Sequence, residues 1–518
     1  MIAEKKSFNL VDDPWIPIAG VGERSLRDVF EHPEYLRLGG TAVEKVVILR
    51  LLLCIVHAST PIPDEEAWAE LTLEQISQNA LAYLEKWHDR FDLYDEELPF
   101  LQFPQLKGKC AKAGLEGIAW TAASGNKTLL TQWSGMKRFS DAEAARLILC
   151  GTSYGSGGKK YDLKAKIDPA GPDKGKSASQ GTLTGYSGYL HSFLLGETIL
   201  ETLYLNLLTE EEVRSLCLFR ESNPLGCPFW EAMPTDEGGS SAEAYRSTYQ
   251  GHLFPLNKFF CLHEDSLLMT EGISYPTHKQ GQWDPGIVLF YGTKPEDTRA
   301  LWCDTEKKPW RQLSSLLQFL DVNTNSTMPA FLIRGLDKMD RSHDRMFGIW
   351  TGGVGVNNNS GEQYVSAKKD YVESEFTIPM SWYEGRDEVR GASSFLRYKN
   401  LMQTLDDYAS VLYSAVNRYF KSLDEQRSGD LAKQAVQLFW EKMEPAAQAI
   451  IDLSLEKEES EEVLAAEKAW QGVARSCYDQ FCPHQTPRQI QAYVQGTPYF
   501  GKKSDKTKPV KKVKKEKV

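Results

Sequence analysis

The stretch "FLRYKNLMQTLDDYASVLYSAVNRYF", residues 395–420, has apolar side chains spaced three and four residues apart over its whole length. That spacing predicts a long amphipathic helix. Three further segments with the same spacing follow after short polar turns, at 431–455, 460–481 and 487–494. Pro445 lies inside the second segment and predicts a kink there. Four consecutive amphipathic helices with short connections predict an all-α C-terminal four-helix bundle over residues 384–500.

The residues before this bundle carry several helix signals. Apolar side chains occupy nearly every position of 42–58, as in a buried helix, and 64–91 is predicted as one longer amphipathic helix. Ser140 and Glu143 have the spacing of a capping box, which predicts a helix start. Residues 187–208 are predicted as a further helix, and a second capping box, Thr209 and Glu212, predicts a short helix after it.

The character of the sequence changes between about 225 and 380. Short apolar runs such as "KFFCLHED" (258–265) and "GIVLFYG" (286–292) alternate there with Gly, Pro, Asn and Asp. Such runs are typical of strands and turns. Residues 1–380 are therefore predicted to form one α+β domain of mixed helices and short antiparallel strands.

Composition favours a soluble protein of the cytoplasm without a membrane partner. The longest apolar stretch, Val46 to Val56, is eleven residues long and is interrupted by Arg50, so it is too short to span a bilayer. The N-terminus has no apolar core followed by a cleavage site, as a secretory signal would.

The cysteines predict neither disulfides nor a metal site. The chain has nine cysteines and no Cys-x-x-Cys pair. Cys477, Cys482 and His484 come nearest to a metal cluster, and reduced thiols in a helical core are the favoured interpretation. We predict no metal and no cofactor.

Charge is distributed unevenly along the chain. The net charge is −11, yet residues 501–518 hold nine lysines against one Asp and one Glu, which predicts a disordered Lys-rich tail. Residues 151–188, here called the Gly/Lys loop, hold six lysines, three aspartates and nine glycines. Local charge of this kind decides where a polyanion can bind.

The Gly/Lys loop places Gly155, Gly157 and Gly158 directly before Lys159 and Lys160. The spacing fits neither a Walker A loop nor a dinucleotide fingerprint. Glycine permits close backbone approach to a phosphate or a groove floor, and lysine neutralises phosphate charge. A flexible nucleic-acid-binding loop and a disordered surface insertion both fit this composition.

A run of short amides forms a second candidate site. "WTGGVGVNNNSGEQY", residues 350–364, contains Asn357, Asn358, Asn359 and Ser360 after a pair of glycines. On a hairpin tip, such residues suit readout of a DNA groove or insertion into a duplex. An Asn-rich turn without a ligand is the alternative.

Signals for catalysis are weak. The sequence contains no His-Glu-x-x-His, Gly-x-Ser-x-Gly or kinase catalytic loop. Cys261, His263 and Asp265 would share one face of a strand, where they fit a metal or nucleophile site or an ordinary structural strand. A hydrolase of unrecognised class and a general nucleic-acid-binding scaffold therefore stay open as alternative functions.

The order of several motifs resembles the large (CasA-type) subunit of type I-E CRISPR Cascade complexes. "FNLVDDPWIPI" (8–18) is similar to the N-terminal strand of that family, and "ELPFLQ" (97–102) to its Pro-Phe-hydrophobic-Gln turn. "CPFWEAMP" (227–234) resembles its Pro-x-Trp segment, and "GGVGVNNNSG" (352–361) its Gly-Gly and paired asparagines. The Gly/Lys loop stands where the family has its glycine loop.

This resemblance implies a non-enzymatic subunit for antiviral defence. Such subunits bind other Cascade subunits and the CRISPR guide RNA, and they recognise a short motif, the PAM, in double-stranded DNA. They help to open the duplex into an R-loop and to recruit a helicase–nuclease effector. Base pairing identifies the target sequence, while the protein recognises only the PAM and the DNA shape.

The resemblance also implies roles for particular residues. The family's glycine loop falls on Gly155, Gly157 and Gly158, with Lys159 and Lys160 near phosphate. Its asparagine and wedge residues fall on 357–360; the wedge glutamine of some members is absent there, and Gln363 lies further on. Lys279 is the nearest counterpart of the PAM-recognising lysine. The loop at the guide end falls on 124–133, with Asn126, Lys127 and Gln132.

Overall fold

The apolar run at 42–58 forms a helix that is buried on every side. It extends over Ala42–Ser59 and begins after the N-cap Thr41, whose hydroxyl group accepts a hydrogen bond from the amide of Glu44 at 3.3 Å. Only four of its eighteen residues are not buried. A helix with so little polar surface can be stable only inside a core, and the prediction of a buried helix is confirmed.

The computed structural model describes residues 6–119, 139–158, 161–171, 173–175, 179–216, 218–219, 222–263, 266–281, 283–320, 326–327, 330–339, 345–359, 362–364, 370–384, 394–457 and 459–500. The chain divides into two compact units, residues 1–387 and 388–518.

In these residues, the first unit contains twelve α-helices joined by turns and short 3-10 helices. They are α1 Leu26–Glu31, α2 Ala42–Ser59, α3 Glu65–Glu70, α4 Leu73–Lys86, α5 Asp141–Tyr154, α6 Ile199–Leu205, α7 Glu210–Ser215, α8 Ser240–Arg246, α9 Tyr249–Leu253, α10 Leu313–Leu316, α11 Ala330–Lys338 and α12 Ser381–Glu384.

The strands described also belong to the first unit, and all pair antiparallel. They are β1 Ile16–Ile18, β2 Gly22–Arg24, β3 His191–Leu195, β4 Lys258–His263, β5 Ser266–Glu271, β6 Leu289–Phe290, β7 Arg299–Ala300, β8 Ser326–Thr327, β9 Met346–Val354, β10 Asn357–Asn359, β11 Glu362–Tyr364 and β12 Tyr371–Pro379. The predicted mixture of helices and short antiparallel strands is confirmed.

Strand β9 is the centre of a three-stranded sheet. On one side β12 pairs with it from Tyr371 opposite Val354 to Pro379 opposite Met346. On the other side β3 pairs with residues Gly348–Gly352 of β9. The sheet therefore joins segments that are more than 150 residues apart in sequence.

Two predicted helices differ from the structure. Residues 187–208 contain the strand β3 and the short helix α6, because β3 finds its hydrogen-bond partners in β9. Residues 64–91 contain α3 and α4 instead of one helix, because Thr72 caps a new helix by accepting a hydrogen bond from the Gln75 amide at 3.2 Å. The capping boxes at Ser140 and Thr209 are present as predicted.

Two motifs of the family resemblance meet in one aromatic cluster. The ring centroids of Phe100 and Phe229 are 5.4 Å apart, and Phe91 lies 5.2 Å from Phe100 and 5.3 Å from Trp230. The side chain of Gln102 donates to the carbonyl group of Leu93 at 2.8 Å and accepts from the amide of Leu262 at 2.7 Å. These motif residues therefore stabilise the fold.

The described residues of the second unit contain five α-helices: α13 Ser394–Ser422, α14 Ser428–Met443, α15 Ala447–Leu453, α16 Glu461–Phe481 and α17 Pro487–Gly496. Helix α13 packs against α14, α16 and α17. Pro445 lies in a 3-10 turn that separates α14 from α15, so the predicted kink is a break. The four-helix bundle over 384–500 stays a prediction.

No described helix combines the length and the apolar character that crossing a bilayer requires.

Candidate nucleic-acid interface

The Gly/Lys loop begins at the C-terminal end of α5. Gly155 follows the helix as extended backbone, with φ −57° and ψ 145°. Gly155, Gly157 and Gly158 are all buried, and the φ of Gly158 is +107°, a conformation that favours glycine. The first residues of the loop are therefore part of the folded core and not an open loop tip.

The loop returns to its own starting point. The amide of Gly181 donates to the carbonyl group of Gly155 at 2.7 Å, and the amide of Leu183 donates to that of Ser153 at 3.1 Å. A Cβ atom on Gly181 would lie 2.5 Å from the oxygen and 2.6 Å from the nitrogen of Gly155. This close backbone contact requires glycine at position 181.

Two lysines whose side chains are almost fully covered attach the loop to the hairpin of β4 and β5. Nζ of Lys258 lies 2.9 Å from both carboxylate oxygens of Glu271 and donates to the carbonyl group of Ser179 at 2.6 Å. Nζ of Lys174 donates to the carbonyl group of Glu271 at 2.7 Å and also forms an ion pair with Glu237 at 3.1 Å. Burial lowers the pKa of both lysines, and the paired glutamates oppose that change. These contacts argue against a disordered insertion. Because Lys174 is covered and paired, it does not contribute to the exposed positive charge of the loop.

Lys279 is exposed on a short 3-10 turn. The turn is closed by a capping box, in which the side chain of Gln280 accepts a hydrogen bond from the amide of Thr277 at 3.0 Å. Burial and the neighbouring charge of Lys279 lower the pKa of His278. The neutral imidazole can therefore accept a hydrogen bond at Nδ1 from the Tyr189 hydroxyl group, 2.7 Å away.

A cavity of about 580 Å³ lies between the returning end of the Gly/Lys loop and the Lys279 turn. Its lining includes Gly181 and Tyr186 of the loop, Lys279 of the turn, and Arg299. Trp302 also lines it, and its ring stacks on that of Tyr189 with centroids 4.6 Å apart and planes at 10°. Cationic and aromatic side chains around one concave surface can bind phosphate and stack on bases.

The Asn-rich hairpin begins beside the end of the loop. The amide of Val356 donates to the carbonyl group of Ser187 at 3.1 Å. Gly188, with φ +91°, lies so close to Val354 that a Cβ atom would overlap the Val354 carbonyl oxygen. The asparagines 357–359 form strand β10 and not the hairpin tip, and Asn358 pairs with Gln363 of β11.

Several predicted site residues lie outside the described residues. They are Lys159, Lys160, Ser360, Asn126, Lys127, Gln132 and the tail 501–518.

The alternative site on β4 has a weak nucleophile. Cys261 is buried opposite Leu268, and burial raises the pKa of its thiol, which keeps it protonated at neutral pH. His263 pairs with Ser266, and Asp265 lies outside the described residues. Among the residues that the structure does describe, no group of three His, Cys, Asp or Glu side chains could hold a metal ion.

The sequence did not identify four residues around this interface. Arg299 and Trp302 line the cavity but stand in short segments without a recognisable pattern. His191 and Asp284 are buried beside Arg50. Arg50, a charged residue in the apolar run 42–58, was the sequence signal for His191 and Asp284, because a buried cation requires a partner.

The family model described as "CRISPR-associated protein Cse1" matches residues 9–478. The chain belongs to the Cse1 family. The resemblance seen in the sequence is therefore confirmed. A curated relative, the CRISPR-associated protein CasA/Cse1 of Thermus thermophilus, is 29% identical over 247 residues. The match spans 44% of this Cse1-family chain and 43% of that relative.

Solved Cse1 structures have a similar fold. The crystal structure of Thermobifida fusca Cse1 matches with a TM-score of 0.74 and 20% identity, over 96% of this chain and 97% of that chain. A chain of a structure titled "CRISPR RNA-guided surveillance complex" matches with a TM-score of 0.66 and 18% identity, over 95% and 98%. At these identities the similarity concerns the fold alone.

Proposed function

We propose that this Cse1-family chain is the large, non-catalytic subunit of a type I-E CRISPR RNA-guided surveillance complex. In this role it recognises the PAM in double-stranded DNA, promotes duplex opening and R-loop formation, and helps to recruit a helicase–nuclease. One observation carries the proposal: the end of the Gly/Lys loop, the Lys279 turn and the start of the Asn-rich hairpin lie together. Family membership and the fold of the surveillance-complex chain support it.

The proposal assigns a role to each predicted site residue. Lys279 contacts the PAM, and the glycine segment 155–158 with Lys159 and Lys160 lies near the minor groove and its phosphates. Residues 357–360 lie where the two strands separate. A protein that contacts the minor groove distinguishes base pairs only coarsely, so several related PAMs should be accepted. Asn126, Lys127 and Gln132 contact the end of the guide RNA.

We further propose that different parts of the chain have different roles. Residues 1–380 recognise DNA, and residues 384–500 form an antiparallel four-helix bundle that helps to hold the duplex and the effector. The packing of α13 against α14, α16 and α17 supports the bundle. The nine lysines of 501–518 would add salt-sensitive affinity that does not depend on sequence.

The test compares Lys279→Ala with Lys86→Ala, an exposed lysine at the end of α4. We expect Lys279→Ala to weaken binding of the assembled complex to a PAM-bearing duplex by about 1–3 kcal/mol, or roughly 5- to 150-fold. Binding to a single-stranded target should stay unchanged, because it requires neither PAM nor strand opening. Gel-shift titrations with both substrates measure the difference. Substitutions at Gly158 are less informative, because its φ of +107° makes any side chain there strained.

The controls separate the alternative functions. Lys86→Ala should leave both titrations unchanged. Truncation after residue 500 should flatten the salt dependence of duplex binding without changing PAM preference. Equal losses on duplex and single strand for Lys279→Ala would favour a general nucleic-acid-binding scaffold. The absence of any loss would remove Lys279 from the interface.

A further inference from the structure

Arg50 is a buried cation inside the apolar helix α2. The side chains of Arg50 and Asp284 are each only 2% exposed. Their two hydrogen bonds are Nη1 to Oδ2 at 3.0 Å and Nη2 to Oδ1 at 2.7 Å. A Cβ atom on Gly286 would lie 2.5 Å from Nη2, so glycine there leaves room for the guanidinium group. The bidentate geometry satisfies both charges in the core.

One branch of contacts runs from Arg50 to residues 283–286, which follow the Lys279 turn in sequence. Asp284 follows Lys279 by five residues, and its Oδ1 also accepts a hydrogen bond from the amide of Gly286 at 2.7 Å. The carbonyl group of the preceding residue, Trp283, lies 3.1 Å from Nδ1 of His252. Asp284 therefore holds the segment that begins two residues after the Lys279 turn.

A second branch runs from Arg50 to the Gly/Lys loop. Nη2 of Arg50 lies 3.3 Å from Nδ1 of His191, and Nε2 of His191 lies 2.7 Å from the carbonyl oxygen of Leu183. Arginine can only donate, so Nδ1 accepts and Nε2 carries the proton given to Leu183. The amide of Leu183 in turn donates to Ser153 at 3.1 Å, next to the glycine segment.

We infer that Arg50 is a positioning residue for the DNA interface: through Asp284 and His191 it sets the spacing between the Lys279 turn and the returning end of the Gly/Lys loop. The inference rests on the proposed function and adds residues that touch no DNA. A side chain on one rigid helix holds both edges of the cavity. The opening between Lys279 and Gly181 is then fixed before DNA arrives, and no binding energy is spent on ordering it.

The test must separate positioning from stability. Removing one member of a buried ion pair leaves an unpaired charge and destabilises the fold, whereas replacing both with apolar residues of similar volume is often neutral or stabilising. The double variant Arg50→Met/Asp284→Leu therefore keeps the core filled while it removes the polar link. We expect the assembled complex to bind PAM-bearing duplex on the order of 10- to 100-fold more weakly. Losses of this size are typical when residues that orient the ligands of a metal site are replaced. Binding to single-stranded target should stay within about twofold.

A double-mutant cycle with Lys279→Ala identifies the cause. If Arg50 acts by placing Lys279, then Lys279→Ala should weaken duplex binding strongly in the wild-type background. In the Arg50→Met/Asp284→Leu background it should weaken binding by no more than about twofold, because the lysine is already misplaced. Equal effects in both backgrounds would overturn the inference and leave the proposed function intact. No effect of Lys279→Ala in the wild-type background would instead remove Lys279 from the interface and overturn its proposed role in PAM recognition.

Two His191 variants decide the matter if the double variant does not fold. His191→Leu removes the hydrogen bond to Leu183 and leaves the ion pair in place. His191→Gln keeps an amide donor near the position of Nε2. We expect His191→Leu to weaken PAM-dependent duplex binding about 10-fold and His191→Gln to restore it to within about twofold, with assembly unchanged in both. Duplex binding at the wild-type level for His191→Leu would overturn the inference, and so would equal losses for the two variants.

Discussion

Replacing Gly181 by alanine should separate the two ends of the Gly/Lys loop. The amide of Gly181 donates to the carbonyl group of Gly155 at 2.7 Å, and both residues are buried. The added methyl group would lie 2.5 Å from the Gly155 oxygen, whereas ordinary Cβ contacts begin at 3.4 Å. Because the neighbouring atoms belong to the backbone and not to a flexible side chain, no side-chain rotation can relieve the overlap.

The geometry sets the magnitude of the effect. The backbones must move apart by about 0.9 Å, which stretches the hydrogen bond from 2.7 Å to about 3.6 Å, beyond hydrogen-bond range. A buried donor or acceptor without a partner costs about 1–3 kcal/mol. We expect Gly181→Ala to lower the free energy of unfolding of the first unit by about that amount.

Thermal unfolding and amide hydrogen exchange of the whole chain measure this loss, with Gly117→Ala as the matched control. A Cβ atom on Gly117 meets only the terminal methyl group of Met269, at 3.7 Å. The control should therefore stay within about 0.5 kcal/mol of the wild type. If the amide of Leu183 exchanges equally slowly in both variants, the contact between Gly155 and Gly181 does not hold the loop and the reasoning fails.

Two further predictions concern the second unit and the buried histidine. Phe439 is fully buried in α14, so Phe439→Ala should lower the free energy of unfolding by about 3–5 kcal/mol. The control Val494→Ala, at a residue that is 67% exposed, should change it little. Equal melting temperatures for the two variants would contradict this prediction. Burial, opposed by Asp284 and reinforced by Arg50, lowers the pKa of His191 from 6.5 to about 4. Because the unfolded state then takes up the proton first, stability is full above about pH 6.5 and falls on the order of 3 kcal/mol as the pH drops to 4. The His191→Gln variant should lose less between these pH values in urea titrations, and an unchanged pH profile would contradict the assignment.

Local signals predicted the helices that depend only on nearby residues. The buried helix α2 and the capped start of α5 follow from composition and from side chains three residues apart. The break between α3 and α4 also had a local signal, since Thr72 and Gln75 have capping-box spacing. Strand β3 had none, because its partner β9 lies far away in sequence and the apolar run 187–208 fits a helix equally well.

The sequence names candidate site residues, which stay predictions, but it does not show how the Gly/Lys loop is folded. Lys279 was singled out because it is an exposed polar residue at a turn, and turn residues of this kind are visible in a sequence. The three glycines at 155–158 suggested an open, flexible loop, whereas they are buried against the chain itself. Which lysines of a basic segment face inward depends on distant carboxylates such as Glu237, and no local pattern reveals that.

The anchoring of the Gly/Lys loop by β4 and β5 has a consequence for synthesis of the protein. Lys258 follows Ser179 by 79 residues, and at about 5–20 residues per second the ribosome needs roughly 4–16 s to bridge that distance. During this interval the nascent loop lacks both Lys258 and Glu271 and exposes its backbone. Any fragment that ends before β4 lacks Lys258 and Glu271 permanently. An isolated N-terminal piece that contains every glycine and lysine of the loop therefore lacks the two side chains that hold its returning end in place.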